Sequence, residues 1–202
     1  MKATDTRTSL LESSYTLMLA HGYAATGVDE ICRHAQVSKG SFYHFFKTKQ
    51  QCAMEMLKHH MAGAQATLEE GLDLSGLNRL DGAIAYVKHL EGLSETVFRD
   101  GCLIGAFALE LAESHPELRQ EVSRELHAMA SHFEEVLSPL TQCGPSQAAP
   151  SARELAEQML TAIEGGVVLS KAHGNPRYVS QALRLFRHYL ELLKTHSVRS
   201  AN

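Results

Sequence analysis

The stretch Val37-Ser38-Lys39-Gly40-Ser41-Phe42-Tyr43-His44-Phe45-Phe46 sets the reading of the whole chain. Over barely two turns of helix, Val37, Phe42 and Phe46 fall on one side, while Lys39, Ser41, Tyr43 and His44 put hydrogen-bond donors on the other. An apolar back and a donor-rich front suit a helix laid against a polyanion. Ser38 is a good N-cap, and a helix start adds unpaired N–H groups and a positive dipole end, both of which favour phosphate. Gly40 brings backbone close to a ligand at a cost of about 1 kcal/mol in helix propensity relative to alanine. A helix so short and weak needs neighbours to hold it. Just upstream, Thr26 is placed to cap a helix in which Val28, Ile31, Cys32 and Ala35 recur at i, i+3, i+4 and i+7. Helix, brief turn at Gln36-Val37, second helix: this is helix-turn-helix geometry, and it predicts recognition of DNA.

Residues from about 6 to 53 resemble the DNA-binding domain of TetR-type bacterial transcriptional repressors. The resemblance rests on His21-Gly22-Tyr23, Thr26-Gly27-Val28-Asp29-Glu30-Ile31, the run from Val37 to His44, then Phe46 and Lys49. It implies an all-α fold: an N-terminal three-helix DNA-binding domain over 1–48 and a helical ligand-binding and dimerisation domain over 49–202. Ser38, Lys39, Gly40, Ser41, Tyr43 and His44 would then enter the major groove, with Thr26, Lys47 and Lys49 on flanking phosphates. The expected partners are a palindromic double-stranded operator, a second copy of the chain and a small-molecule inducer. Two positions depart from the family pattern. Gln36 stands where glycine is usual, so a non-glycine residue must take a turn conformation, left-handed by expectation, at about 1 kcal/mol. Phe45 stands where histidine or tyrosine is common, which removes a polar contact.

Outward from that stretch the chain reads as helices throughout. A first helix is expected over 4–21, with Leu11, Tyr15, Met18 and Leu19 inward and Gly22 ending it. Thr48 and Gln51 have capping-box spacing for a fourth helix running to about residue 70, the physical link between head and body. Residues 71–78 form a loop, and a fifth helix follows over 79–99. The run Cys102 to Leu109 is apolar on every side and is expected to be the buried centre of the second domain. Ser114-His115-Pro116-Glu117 starts a seventh helix ending near residue 137. Residues 138–151, with Pro139, Gly144, Pro145 and Pro150, form the clearest linker. Two C-terminal helices follow, over 152–172 and from Asn175-Pro176 to about 195. Leu155, Met159, Ile163, Gly166 and Val167 lie along the first, and Val179, Leu183, Phe186, Leu190 and Leu193 along the second. Periodicity alone leaves open whether these stripes serve one chain's core or a dimer seam. The family resemblance favours the seam.

With 44% hydrophobic and 21% charged residues the chain is ordinary for a globular protein, and its formal charge is −4. That charge is uneven: residues 1–50 carry +2 and the remainder −6. A basic head on an acidic body fits a protein that meets DNA through the head alone. The four cysteines show no Cys-x-x-Cys pair, no signal-peptide core opens the chain, and no apolar run approaches the roughly 18 residues of a membrane span. A cytoplasmic protein without a membrane partner is expected.

No phosphate-binding loop, nucleophile elbow or zincin signature is present, so neither an enzyme nor a cofactor is expected. The twelve histidines lack metal-ligand spacing. An inducer pocket is expected among the fifth to eighth helices, lined by Phe98, Phe107, Met129 and Phe133, and suited to an apolar or aromatic compound. Gly101-Cys102-Leu103, and Gly165-Gly166 followed by Lys171, resemble the branch of the family that senses electrophiles such as N-ethylmaleimide and reactive chlorine. That likeness places Cys102 and Lys171 at the ligand site and adds an alternative, a repressor released by covalent modification of Cys102. The opposing reading of Cys102 is a small hydrophobe opening an apolar helix.

Overall fold

In the computed structural model, residues 3–141 and 150–200 are described, with side chains for 5–141 and 150–195. Regular structure among them is helical, as the three-to-four-residue apolar spacing requires. The α-helices are α1 (Ala3–His21), α2 (Val28–His34), α3 (Lys39–Phe45), α4 (Lys49–Glu69), α5 (Arg79–Val97), α6 (Leu103–Leu111), α7 (Pro116–Leu137), α8 (Ala152–His173) and α9 (Arg177–Ser200). Ser138–Thr141, expected as the start of a linker, instead forms a 3-10 turn that buries Leu140. The rest of that linker as far as 149, with Cys143, Gly144 and Pro145, lies outside the described residues.

Two compact units divide the chain. One combines Met1–Thr67 with Cys102–Leu126, the other Leu68–Gly101 with His127–Asn202. In the first, Leu10, Leu11 and Met18 of α1, Ile31 of α2, Phe42 and Phe46, and Ala53, Met56 and Leu57 of α4 are buried together. Arg7 closes its edge, bonding Glu55 Oε2 at 2.5 Å while its guanidinium lies 5.9 Å from the Phe46 ring centroid. The α2–α3 turn is made by Gln36 at φ +56°, the left-handed conformation expected from the missing glycine. At the start of α4, Thr48 Oγ1 accepts the Gln51 N–H at 3.0 Å. The Gln51 side chain takes the N–H of Lys47 rather than that of Thr48, a capping box displaced by one residue.

The first unit also holds α6, which corrects its expected place at the centre of the second domain. Leu103, Ile104, Phe107 and Leu111 are buried, but Leu109 is 79% exposed. The apolar run from Cys102 to Leu109 therefore presents one face to solvent, where Leu109 stands beside the exposed Glu110.

In the second unit α8 and α9 pack at Gly166, where a Cβ would come within 2.7 Å of the Val179 Cα. Of the adjacent glycines Gly165 and Gly166, only Gly166 makes this close approach to α9. Ser151 and Glu154 form a full capping box at the start of α8, and Gly174 ends it at φ +62°. Asn175 Oδ1 accepts the Arg177 N–H at 3.1 Å, opening α9. Against α5, Arg187 pairs with Glu91 at 3.0 Å and Lys194 with Asp81.

Candidate nucleic-acid interface

Phe42 and Phe46 are fully buried and their rings lie 5.5 Å apart, so the back of α3 is anchored in the first unit. Ser38 caps the helix as expected: its Oγ accepts the Ser41 N–H at 3.1 Å and sits 2.9 Å from Ser41 Oγ. The front is open. Ser38, Lys39, Gly40, Tyr43, His44 and Lys47 are exposed and Ser41 is partly so. Tyr43 is 51% exposed, and its ring stands edge-on to Phe42 with centroids 5.4 Å apart. A Cβ on Gly40 would meet only Ser38 Oγ, in ordinary contact at 3.6 Å. Lys39 Nζ bonds Asp29 Oδ1 of α2 at 2.6 Å, and that hydrogen bond pushes the lysine's pKa up.

Two flanking residues differ from expectation. Thr26 is fully buried, and its hydroxyl donates to the Gly22 carbonyl at 2.7 Å. It neither caps α2, whose N-cap is Gly27, nor offers its side chain to a phosphate. Lys49 Nζ donates to the carbonyls of Tyr23 (2.8 Å) and Thr26 (3.0 Å) and lies 4.1 Å from the Tyr23 ring centroid. Burial draws its pKa down, with Glu110 pulling the other way. Two of its three N–H groups therefore brace the α1–α2 turn. Residue type alone could not show that nearby carbonyls claim these groups.

The residues expected to line an inducer pocket are divided between the two units. Phe107 is fully buried in the first unit, its ring edge-on to Tyr23 at 6.0 Å. Phe133 is buried in the second, 6.3 Å from the Tyr86 ring. Phe98 is the C-cap of α5, and Met129 is half-buried on α7. The second unit has a cleft of about 590 Å³ lined by Glu69, Leu72, Leu77, Arg79, Tyr86 and Val136, among others, and none of the expected residues lines it. Packing decided this, since large aromatics fill cores as readily as they line pockets. Cys102 is half-buried at the N-cap of α6, at φ −120° and ψ 118°. The Lys171 side chain lies against the α-carbon of Gly101, which has φ +106°.

A short recognition helix on a buried aromatic anchor, reached through a left-handed turn, defines a helix-turn-helix DNA-binding module joined to further helices. Residues 10–56 match the model of bacterial regulatory proteins of the tetR family, and residues 76–186 match the tetracyclin repressor-like C-terminal domain. The chain belongs to the TetR family of transcriptional regulators. It is 26% identical over 191 residues to the transcriptional regulator AcuR of Cereibacter sphaeroides, covering 90% of this chain and 84% of that one. It is 29% identical over 147 residues to the repressor NemR of Escherichia coli K12, covering 69% and 74%. A crystal structure of a regulatory protein TetR from Rhodobacter sphaeroides superposes with a TM-score of 0.75 at 25% identity, over 90% of this chain and 96% of that one. The reduced form of E. coli NemR shares the fold, with a TM-score of 0.75 at 23% identity over 91% and 96%. Such relatives are regulators, a non-enzyme class. No described helix is long and apolar enough to cross a membrane.

Proposed function

We propose that this chain is a cytoplasmic repressor that binds a palindromic operator as a homodimer and lets go when a small apolar or aromatic inducer occupies its body. Residues 1–48 serve as the DNA-binding domain and 49–202 as the ligand-binding and dimerisation domain. The carrying observation is the front of α3: Ser38, Lys39, Gly40, Tyr43 and His44 face solvent while Phe42 and Phe46 lock the helix behind them. Those donors suit base edges and phosphates of a major groove, with Lys47 and the remaining N–H of Lys49 on the flanks. Two such heads must match grooves about 34 Å apart, so an inducer acts by favouring a conformation in which they do not.

Dimerisation has its own support. Val168 and Leu169 on α8 and Leu185, Tyr189 and Leu192 on α9 are exposed apolar residues, and a cleft of about 620 Å³ lined by Leu155, Ala162, Leu185, Phe186 and Tyr189 lies among them. In the test, duplex DNA is selected from a random pool by the wild-type protein, and its affinity for Tyr43→Ala and Lys39→Ala is measured at moderate salt. Losses of roughly tenfold with unchanged thermal unfolding are expected. Wild-type affinity in both variants would exclude this docking face.

A second reading, release by an electrophile at Cys102, is favoured by one contrast. Cys102 is half-buried at a helix start, whereas Cys32 and Cys52 are buried and their thiols are pushed up in pKa by burial. Treatment with N-ethylmaleimide should release DNA from wild type but not from Cys102→Ser. Equal release from both would remove the reading.

A further inference from the structure

The α1–α2 turn is clasped by a side chain that the DNA-reading face does not use. Glu110 of α6 accepts two successive N–H groups of the turn, Tyr23 N–H at Oε2 (2.8 Å) and Ala24 N–H at Oε1 (2.7 Å). Gly22 permits this. At its φ of +86° the following amides turn toward one another, and a Cβ on it would come within 2.9 Å of Glu110 Oε2. Successive amides after a left-handed residue form a concave seat for an anion, and a carboxylate filling it with both oxygens makes charge-assisted bonds.

The turn is held from its carbonyl side as well, by Lys49 Nζ on Tyr23 and Thr26. The Tyr23 ring is wedged edge-on against Phe107 of α6 and against His115 at 4.9 Å. Acid on the amides and ammonium on the carbonyls thus fix both polar sides of one short segment. Residues 22–27 join α1 to α2, and α2 leads through one turn to α3, so this segment sets the direction of the reading helix.

We propose that Glu110 is a positioning residue for operator binding: its carboxylate pins the α1–α2 turn and so holds α2 and the reading helix in the direction that DNA binding requires. This rests on the operator-binding reading above. Glu110 is exposed at its own position, so replacing it leaves no buried hole and the protein should fold.

The test uses full-length wild type, Glu110→Gln, Lys49→Met and the double variant. It measures affinity for the duplex that wild type selects from a random pool and amide hydrogen exchange at Tyr23 and Ala24. Gln keeps the shape but offers one acceptor where two are needed. Glu110→Gln should lose roughly three- to tenfold in affinity and exchange faster at both amides, with its unfolding midpoint little changed. The Lys49→Met and Glu110→Gln losses should be less than additive, because each loosens the same turn. Unchanged affinity, unchanged exchange or fully additive losses would each overturn the proposal. If wild type selects no duplex, the operator reading falls by itself. Exchange then judges the clasp, which faster amides support and unaltered ones overturn.

Discussion

Lys39 is held by a carboxylate that it must leave in order to reach a phosphate. Its partner Asp29 is exposed and only 2.6 Å away, on the side of α2 next to the reading helix. Such surface pairs are worth little, so DNA can compete for the ammonium, but the acid still opposes a polyanion. Asp29→Asn should therefore tighten binding to any duplex, by about two- to fivefold at moderate salt, measured as a salt titration of affinity. Cys52 makes a different prediction. It is fully buried against Ser14 Oγ at 3.2 Å, and burial raises its thiol from 9.0 to about 11. A raised pKa in the folded state favours the neutral thiol, so this stability is complete below pH 9 and is lost as pH climbs toward 11. Urea unfolding at pH 8 and pH 10.5 should show a smaller alkaline loss in Cys52→Ala than in wild type. Residue type announced Ser38, Lys39 and Tyr43 correctly as cap and exposed donors. It misread the side chain of Thr26, because an Oγ–H within reach of Gly22's carbonyl is spent there and not on DNA.

At the scale of elements, short-range spacing located the helices, and what lies opposite each helix settled their roles. On α9 the stripe of Val179, Leu183, Phe186 and Leu190 is buried, as its spacing indicated. A second apolar stripe, Leu185, Tyr189 and Leu192, faces outward on the same helix, whereas burial of an amphipathic helix needs only one. The α8–α9 crossing depends on Gly166, since any Cβ there meets Val179 backbone, which cannot swing away as a side chain can. Gly166→Ala should cost about 1–3 kcal/mol in thermal or urea unfolding despite the better helix propensity of alanine. Gly165→Ala is the control. With nothing within 4 Å of its Cβ position, it should be neutral or slightly stabilising.

For the whole molecule, the proposed grip on a two-fold operator ties affinity to assembly. The outward stripe of α9 can be tested without touching the reading helix. Leu185→Glu, at a site 66% exposed in the single chain, should leave the fold intact by circular dichroism. It should also shift sedimentation from dimer to monomer, because an unpaired charge at the centre of an apolar interface costs several kcal/mol. Operator affinity should fall with it, since one head alone reads half a site. A Leu185→Glu protein that remains a dimer would move the interface elsewhere.

Local sequence was enough for the helical class, the helix-turn-helix at 28–45, the left-handed turn at Gln36 and the exposed front of α3. Each depends on bonds and side-chain spacings within a few residues, where the chain has little choice. Packing between distant elements settled that α6 joins the unit of the reading head, that Glu110 and Lys49 clasp the turn at 22–27, and that Phe107 and Phe133, expected around an inducer, are core residues. Those outcomes are contacts across as many as 87 positions of chain, as between Tyr23 and Glu110, and local periodicity carries no information about which distant element will pack against a given face.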